Sequence, residues 1–520
     1  MSLIINIFKI ALVLSAIFLF KVASAQDDFL ELLPGSERFI YNEKTGVHRL
    51  IGTVNFKYQG NTMYCDSAHY HEPEKLIYAY GNVHVIKEEV NLYCDSLFYN
   101  GNLELAKLWS NVRVLDDEYV LSTDTLDYLS NQKVGIYRYG GVIEKRIDNE
   151  KLSSKVGYIY TESKDMFFRK DVEYFSNSLK VTTDTLQFKY HQNKALFFGP
   201  SYITTFDDSA KIETTIYTEK GWYNTKTEEA ELENNASIIS KENIIKGDYL
   251  YSNPEKGVSI GKGNVFFEDT SQHIIFSGEY FFSDDSTKQV LLTDKALVRN
   301  VSKQDTLYVH ADTLYAFKDS LDEFKVIKGD YNVLFFKKDL QGKCDSTFYD
   351  RVDGKMELFE EPIFWAKGNS ELKGDFMEVF FKDDSIVEKM NLIGNSTVLL
   401  EVDSGNYYNQ IGGKNITTFF EHNNVVRTDV NGNARTVFFP ENKDSETDSS
   451  VIVKRLGMNR IYASDLRIYL DSNEVKGVTY FEKPDGVFYP MEKLNKEEQF
   501  IKGFDWKIAI RPKSWKDLIQ

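Results

Sequence analysis

The triplet Cys-Asp-Ser stands at Cys65 and returns at Cys94, and each copy is followed by a second phrase. The second phrase is Gly81-Asn82-Val83-His84-Val85, then Ser110-Asn111-Val112-Arg113-Val114. The Asp-centred phrase continues as Asp124-Thr125-Leu126-Asp127-Tyr128, Asp184-Thr185-Leu186-Gln187-Phe188, Asp312-Thr313-Leu314-Tyr315 and Asp345-Ser346-Thr347-Phe348-Tyr349. Weaker copies are Gly247-Asp248, Gly278-Glu279 and Gly374-Asp375, with a degenerate one near Val156-Gly157-Tyr158. The Gly-Asn phrase recurs between them at Gly263-Asn264-Val265 and Gly394-Asn395-Ser396. Spacing stays near 29 to 33 residues and loosens only after about Val402. Self-similarity at such a period means an array of stacked supersecondary units, not a set of unrelated domains.

Within a unit the pattern has period two. Leu97 and Tyr99, Leu126 and Tyr128, and Leu186 and Phe188 fall two and four residues after the Asp or its equivalent, with polar residues between. Val83 and Val85, like Val112 and Val114, alternate with His84 and Arg113. Such alternation marks a strand with one buried face, so one repeat is a pair of antiparallel strands joined by short turns. The inward set is therefore Val83, Val85, Leu97, Tyr99, Val112, Val114, Leu126, Tyr128, Leu186 and Phe188, with Ser67, Ser96 and Thr125 on the other face. A plain hydrophobic core between opposed sheets would produce the same pattern.

Lys9, an apolar run from Ile10 to Phe20, and the small residues Ala23-Ser24-Ala25 form a secretory signal peptide over residues 1–25. The expected locations are the periplasm and, within it, an association with the outer membrane. The array occupies 37–400; residues 401–520 read as degenerate repeats and a C-terminal cap, with a polar loop at 440–450. The net charge of −17 argues against a nucleic-acid partner, which would need clustered Lys and Arg. Three cysteines are not a disulfide scaffold, and Cys65, Cys94 and Cys344 all directly precede Asp-Ser. Equivalent cysteines in neighbouring strand pairs lie about 10 Å apart, beyond disulfide reach.

No nucleophile elbow, zinc-protease helix or phosphate-cradling loop is present. The recurring Asp has two readings: a ladder of catalytic carboxylates, or a structural residue accepting backbone N–H bonds at a bend. Recurrence in nearly every unit favours the structural one. His69 and His71, with Cys65 and Glu72 nearby, have a metal-site reading and a solvated-turn reading; the second is preferred because no other cluster has ligand spacing. No cofactor and no catalysis are expected.

The ordered alternation of an Asp-x-apolar-x-Tyr phrase with an apolar-x-Gly-Asn-Val phrase, behind a signal peptide, resembles the OstA-like/LptA family of periplasmic lipopolysaccharide-transport proteins. Asp95 to Tyr99, Asp124 to Tyr128, Gly374 to Met377, Tyr80 to Val85 and Ile260 to Phe267 carry the resemblance. It implies an antiparallel β-jellyroll, a V-shaped open roll or β-taco. Its apolar interior would hold the lipid A acyl chains of lipopolysaccharide while the sugars stay outside. Other transport components would join through edge strands at the ends of the array. Two features depart from the family pattern: the array is several times longer than a single-domain member, and Cys-Asp-Ser replaces Gly-Asp in several copies. The rival readings are a structural or adhesive β-solenoid with a dry core and a polysaccharide-degrading β-helix.

Overall fold

The computed structural model describes residues 30–519 except 59, 88–89, 116–118, 147–148, 208, 225, 302–305, 322, 367–368, 384–385, 422–423, 441–454 and 472–473. The signal peptide expected at residues 1–25, and the polar loop expected at 440–450 apart from Pro440, lie outside the described residues. What is described is antiparallel β-structure with a few short 3₁₀ turns and no α-helix, in line with the all-β expectation. Among the described residues no helix is long and apolar enough to cross a membrane. The chain divides into two compact units, one up to Ser259 and one from Ile260.

The N-terminal unit opens with β1 (Glu31–Leu32), β2 (Arg38–Asn42), β3 (Val47–Tyr58), β4 (Asn61–His71), β5 (Leu76–Lys87), β6 (Val90–Asn100), β7 (Leu105–Leu115) and β8 (Tyr119–Leu129). From β3 to β8 each strand pairs with the next in sequence. Every pair is interrupted in the middle. Tyr80 faces Ser96 and Val83 faces Cys94, so Gly81 and Asn82 oppose Asp95 alone. Gly81 and Asn82 have φ of +73° and +47°, Ser110 and Asn111 +63° and +56°. Two left-handed residues against one make a β-bulge that bends the strand sharply, and Gly and Asn are the residues that accept that conformation. The Gly-Asn phrase is therefore the bend itself.

The Asp phrase lies beside it. Asn82 donates its side-chain amide to Asp66 at 2.9 Å, and Asn111 does the same to Asp95 at 2.7 Å. Asn235–Glu219, Asn332–Asp312 and Asn395–Asp375 repeat the contact at 3.1, 2.8 and 3.0 Å. Where the slot changes, its partner changes too. In the degenerate copy Lys155 takes the acid's place and Asp171, second of the left-handed pair, is its ion-pair partner. At Glu279 the partner is Lys295, at 3.3 Å. The recurring carboxylate thus pins one bend to the adjacent strand. The acceptance of backbone N–H bonds expected from the sequence occurs only in places, as for Gly432 N–H to Asp465 at 2.8 Å.

Bent strands stack into two facing leaves. Leaf A contains the row Phe56, Met63, Val85, Leu92, Val114 and Leu121, each directly opposite the next. Leaf B contains Leu50, Ala68, Ala79, Leu97, Leu108 and Leu126, likewise in register. Directly opposed residues project to one side, so each row lies on the inner face. The leaves meet at their tips: Tyr58 of leaf A packs edge-on against Tyr99 of leaf B at 5.9 Å.

In the C-terminal unit the bend recurs at Tyr331-Asn332, Gly394-Asn395 and Gly432-Asn433. Strands Tyr407–Glu421, Asn424–Phe438 and Gly457–Asp471 carry the pattern beyond residue 400. The chain then changes character. After strand Asp485–Pro490, residues 491–519 form only 3₁₀ turns and cross back over the unit as a strap. Gln410 donates to the Gln499 carbonyl at 2.6 Å and accepts from Ile501 N–H at 2.9 Å. Lys507 N–H donates to Glu371 at 2.8 Å, and Trp515 stacks on Tyr308 at 5.5 Å. The strap lies on the outer face. Ser396 follows its left-handed pair as Val83 does, so alternation turns Leu399 outward, and Gln410 and Glu371 both sit opposite Leu399.

Candidate functional site

The interior of the N-terminal unit is a pair of apolar tracks. The leaf A row runs on from Leu121 through Ile143, Leu152, Tyr174 and Val181 to Ile203, Ile216, Ile238 and Ile245, each in register with its neighbour. In leaf B, Phe168, Leu186, Phe197, Gly221, Leu232 and Leu250 continue the second row. All ten residues assigned inward from the sequence sit in these rows or beside them. Nine are buried, among them Val112 and Tyr128 at 0 % exposure, and Val85 is half-buried against the same cluster. Ser67, Ser96 and Thr125 lie on the alternate face, half-buried.

The sequence pointed to these side chains one repeat at a time. It did not reveal the track, because the register that aligns Val85 with Leu92 and Val114 depends on the two-for-one bulges. A period-two count that runs through a bulge changes face.

The residue preceding the recurring acid turns inward at the apex of the bend, where the two leaves converge and space is least. It is small throughout: Cys65, Cys94, Thr123, Ser154, Thr183, Thr218, Gly247, Cys344 and Gly374 hold it. Cys65, Cys94 and Cys344 each face a valine just past a left-handed pair, Val54, Val83 and Val333. Cys-Asp-Ser and Gly-Asp are therefore two solutions to one packing constraint. All three thiols are free and buried. Strand β5 separates Cys65 from Cys94, consistent with the unpaired state expected from the sequence. Burial pushes the thiols of Cys65 and Cys94 up to about 12, so they are neutral at pH 8. A charged alkylating reagent at pH 8 is expected to leave all three unmodified in the folded protein and to modify all three in guanidinium. Fast labelling of the folded protein would show that the apex is open.

The other candidates do not converge. Cys65 faces the interior, whereas His69 and His71 alternate to the exterior, where Arg49 donates to His69 at 3.1 Å and His71 packs on Tyr78 at 5.6 Å. Among the described residues no group of three His, Cys, Asp or Glu could hold a metal. A recess of about 340 Å³ lies on the outer face, lined by Ser122, Val142, Ser153, Lys155 and Asp171, away from the apolar rows.

Sequence reasoning placed edge strands at the ends of the array but missed the exposed apolar side chains beside them. In β2, Phe39 sits opposite buried Leu50, on the inner face, yet it is 55 % exposed; Tyr41 beside it is 50 % exposed. At the other end of the chain Phe488, opposite Asn459, is likewise 50 % exposed. Both termini of the strand order therefore present apolar side chains next to edge strands, β1 and β2 at one end and Glu474–Phe481 with Asp485–Pro490 at the other.

Bent antiparallel strands, facing leaves and in-register apolar rows on the inner face define a protein of the repetitive β-jellyroll class. Residues 35–184 match the model of the family described as OstA-like protein, so the resemblance carried by the recurring phrases holds over that stretch. No curated protein matches the chain. Among solved structures, one match is LptH of Pseudomonas aeruginosa, titled the LptA homologous periplasmic component of the conserved lipopolysaccharide transport device. It is 10 % identical, with 21 % of this chain and 80 % of that chain covered. Its TM-score of 0.19 lends it no weight in a structural argument.

Proposed function

We propose that this chain is a periplasmic bridge that carries lipopolysaccharide toward the outer membrane, with the acyl chains against the inner face of the roll and no chemistry of its own. The observation that carries this reading is the leaf A row, apolar at every strand from Phe56 to Ile245. An alkyl chain gains about 0.8 kcal/mol for each CH₂ taken out of water, and a continuous row offers the same gain at each step along it. Transfer along such a row needs no large change in affinity between positions. The uncovered edges at both ends suit strand addition by other transport components.

A second reading, a structural rod with a dry core, is favoured by one specific fact: from Leu50 to Ile203 the interior is filled by the protein's own side chains. On the transport reading the leaves must part there to admit a lipid.

A photo-crosslinking residue at Leu97, Tyr99, Leu126 or Tyr128 is expected to capture lipopolysaccharide in cells, and the same residue at Ser96 or Thr125 is not. Equal capture on both faces, or none on either, would leave the rod as the better account.

A further inference from the structure

The closed interior raises the question of where a lipid would enter, and the rows answer it by changing character near the end of the N-terminal unit. Ile203 is 8 % exposed, but Ile216, Ile238 and Ile245, the next three members of its row, are only half-buried. They pack at the margin of a small separate cluster around Leu232 and Leu250.

The cause is in the residues at the leaf tips. Over β3 to β8 the tips carry Tyr58, Val90, Tyr99, Tyr119 and Tyr128, all buried, which close the mouth from both sides. In strands Ile212–Asn224 and Ala230–Ser240 the leaf A tip residues are Thr214 and Ser240, which face each other. In leaf B, Tyr223 keeps the tip position of Tyr99 and Tyr128 but is only half-buried, and Gly221 takes a position in the row held elsewhere by Leu or Phe. A residue with no side chain leaves the isoleucines across the mouth with less to pack against, and they rest on the margin of the Leu232, Ala236 and Leu250 cluster.

We propose that strands Ile212–Asn224, Ala230–Ser240 and Asn243–Asn253 form a lateral portal where an acyl chain of an amphiphile enters or leaves the interior. The occupant follows from the layering. Branched aliphatic side chains lie at depth and hydroxyl groups at the rim, so the site takes an alkyl chain whose polar head stays at the surface. A protein segment would instead demand partners for its backbone N–H and C=O groups, which the isoleucine row cannot offer. The portal continues into the apolar row that holds the cargo on the proposed function, and the inference rests on that reading. It adds a location: access is confined to the stretch where the leaf A rim is Thr and Ser and the row behind it is half-buried.

The test uses the full-length protein, purified lipopolysaccharide and a time course of photo-crosslinking from Ile216 and Ile238, in the portal, and from Leu92 and Leu121, in the closed part of the same row. The portal positions are expected to capture lipid first, at an initial rate at least about tenfold higher, the factor that corresponds to 1.4 kcal/mol. Equal initial rates, or earlier capture at Leu92 and Leu121, would overturn the portal while leaving lipid transport standing. No capture at any of the four would overturn both. Leu92 and Leu121 are buried, and a bulky residue there can prevent folding. A second measurement therefore follows uptake of fluorescent lipid A by Ile238→Trp, whose larger side chain stands in the half-buried row at the mouth. Uptake about tenfold slower with unchanged melting supports the portal; uptake at the parent's rate overturns it.

Discussion

Leu126→Asp is expected to destabilise the N-terminal unit by roughly 4 kcal/mol or more at pH 7, and Thr125→Asp, one residue away, by less than about 1 kcal/mol. Leu126 is 1 % exposed, between Leu108 and the packed leaf opposite; Thr125 is on the outer face, opposite Trp109. The loss has two parts. Removing the buried leucine forfeits about 2–3 kcal/mol of transfer free energy, and a carboxylate with no partner in an apolar interior adds the cost of desolvation. The second part depends on pH. Burial raises the folded-state pKa of the new carboxyl above its unfolded value, so its penalty is full above the folded pKa and fades as pH falls toward the unfolded one. The deficit of Leu126→Asp should therefore narrow between pH 7 and pH 4 in urea-unfolding experiments. Equal deficits for the two variants, or one that ignores pH, would mean that the inner face has been assigned to the wrong residues.

The contrast between these neighbours was legible in the sequence because alternation is local: Leu126 and Tyr128 declare their face within five residues. The bend was written just as plainly but could not be interpreted from one strand. Asn82 and Asp66 are 16 residues apart, and nothing in either phrase says that the two side chains touch. The signal lay in the exceptions, where Lys155 meets Asp171 and Glu279 meets Lys295, each slot changing with its partner. The small residue before the acid was visible as Cys, Thr, Ser or Gly, but its cause, an apex with room for little else, belongs to the packing. The isoleucine row from Ile203 to Ile245 needed the register of four strands, and the register needed the bulges. The C-terminal strap was the least legible part. It has no periodicity, and its anchors Gln410 and Glu371 lie 91 and 136 residues before the atoms they hold.

That strap is where the second large effect is expected. Ending the chain at Pro490 should remove the cover from Trp365, Leu399, Val437, Phe439 and Met458, each at most 1 % exposed. At roughly 1.5–3 kcal/mol for each large side chain returned to water, the loss is on the order of 10 kcal/mol as an upper bound, since neighbouring strands still shelter part of each. Polar groups add to it. Glu371, 0 % exposed, accepts from Trp365 Nε1–H at 3.0 Å and from Lys507 N–H, and its other oxygen meets the Lys373 ammonium at 2.7 Å. A point variant separates this anchor from the bulk of the cover. Glu371→Ala leaves the Trp365 donor and the Lys507 N–H without an acceptor, and is expected to cost about 3–5 kcal/mol. Glu371→Gln keeps an oxygen for those donors and should cost less. The readout is amide hydrogen exchange. Truncation should erase protection over Ile363–Ala366, Tyr407–Glu421 and Asn424–Phe438 and leave β3 to β8 unchanged, because the anchors Tyr308, Glu371 and Gln410 belong to the C-terminal unit. Retained protection at Leu399 and Val437 after truncation would show that the outer face is stable without its cover, and the strap would then be an appendage, not part of the fold.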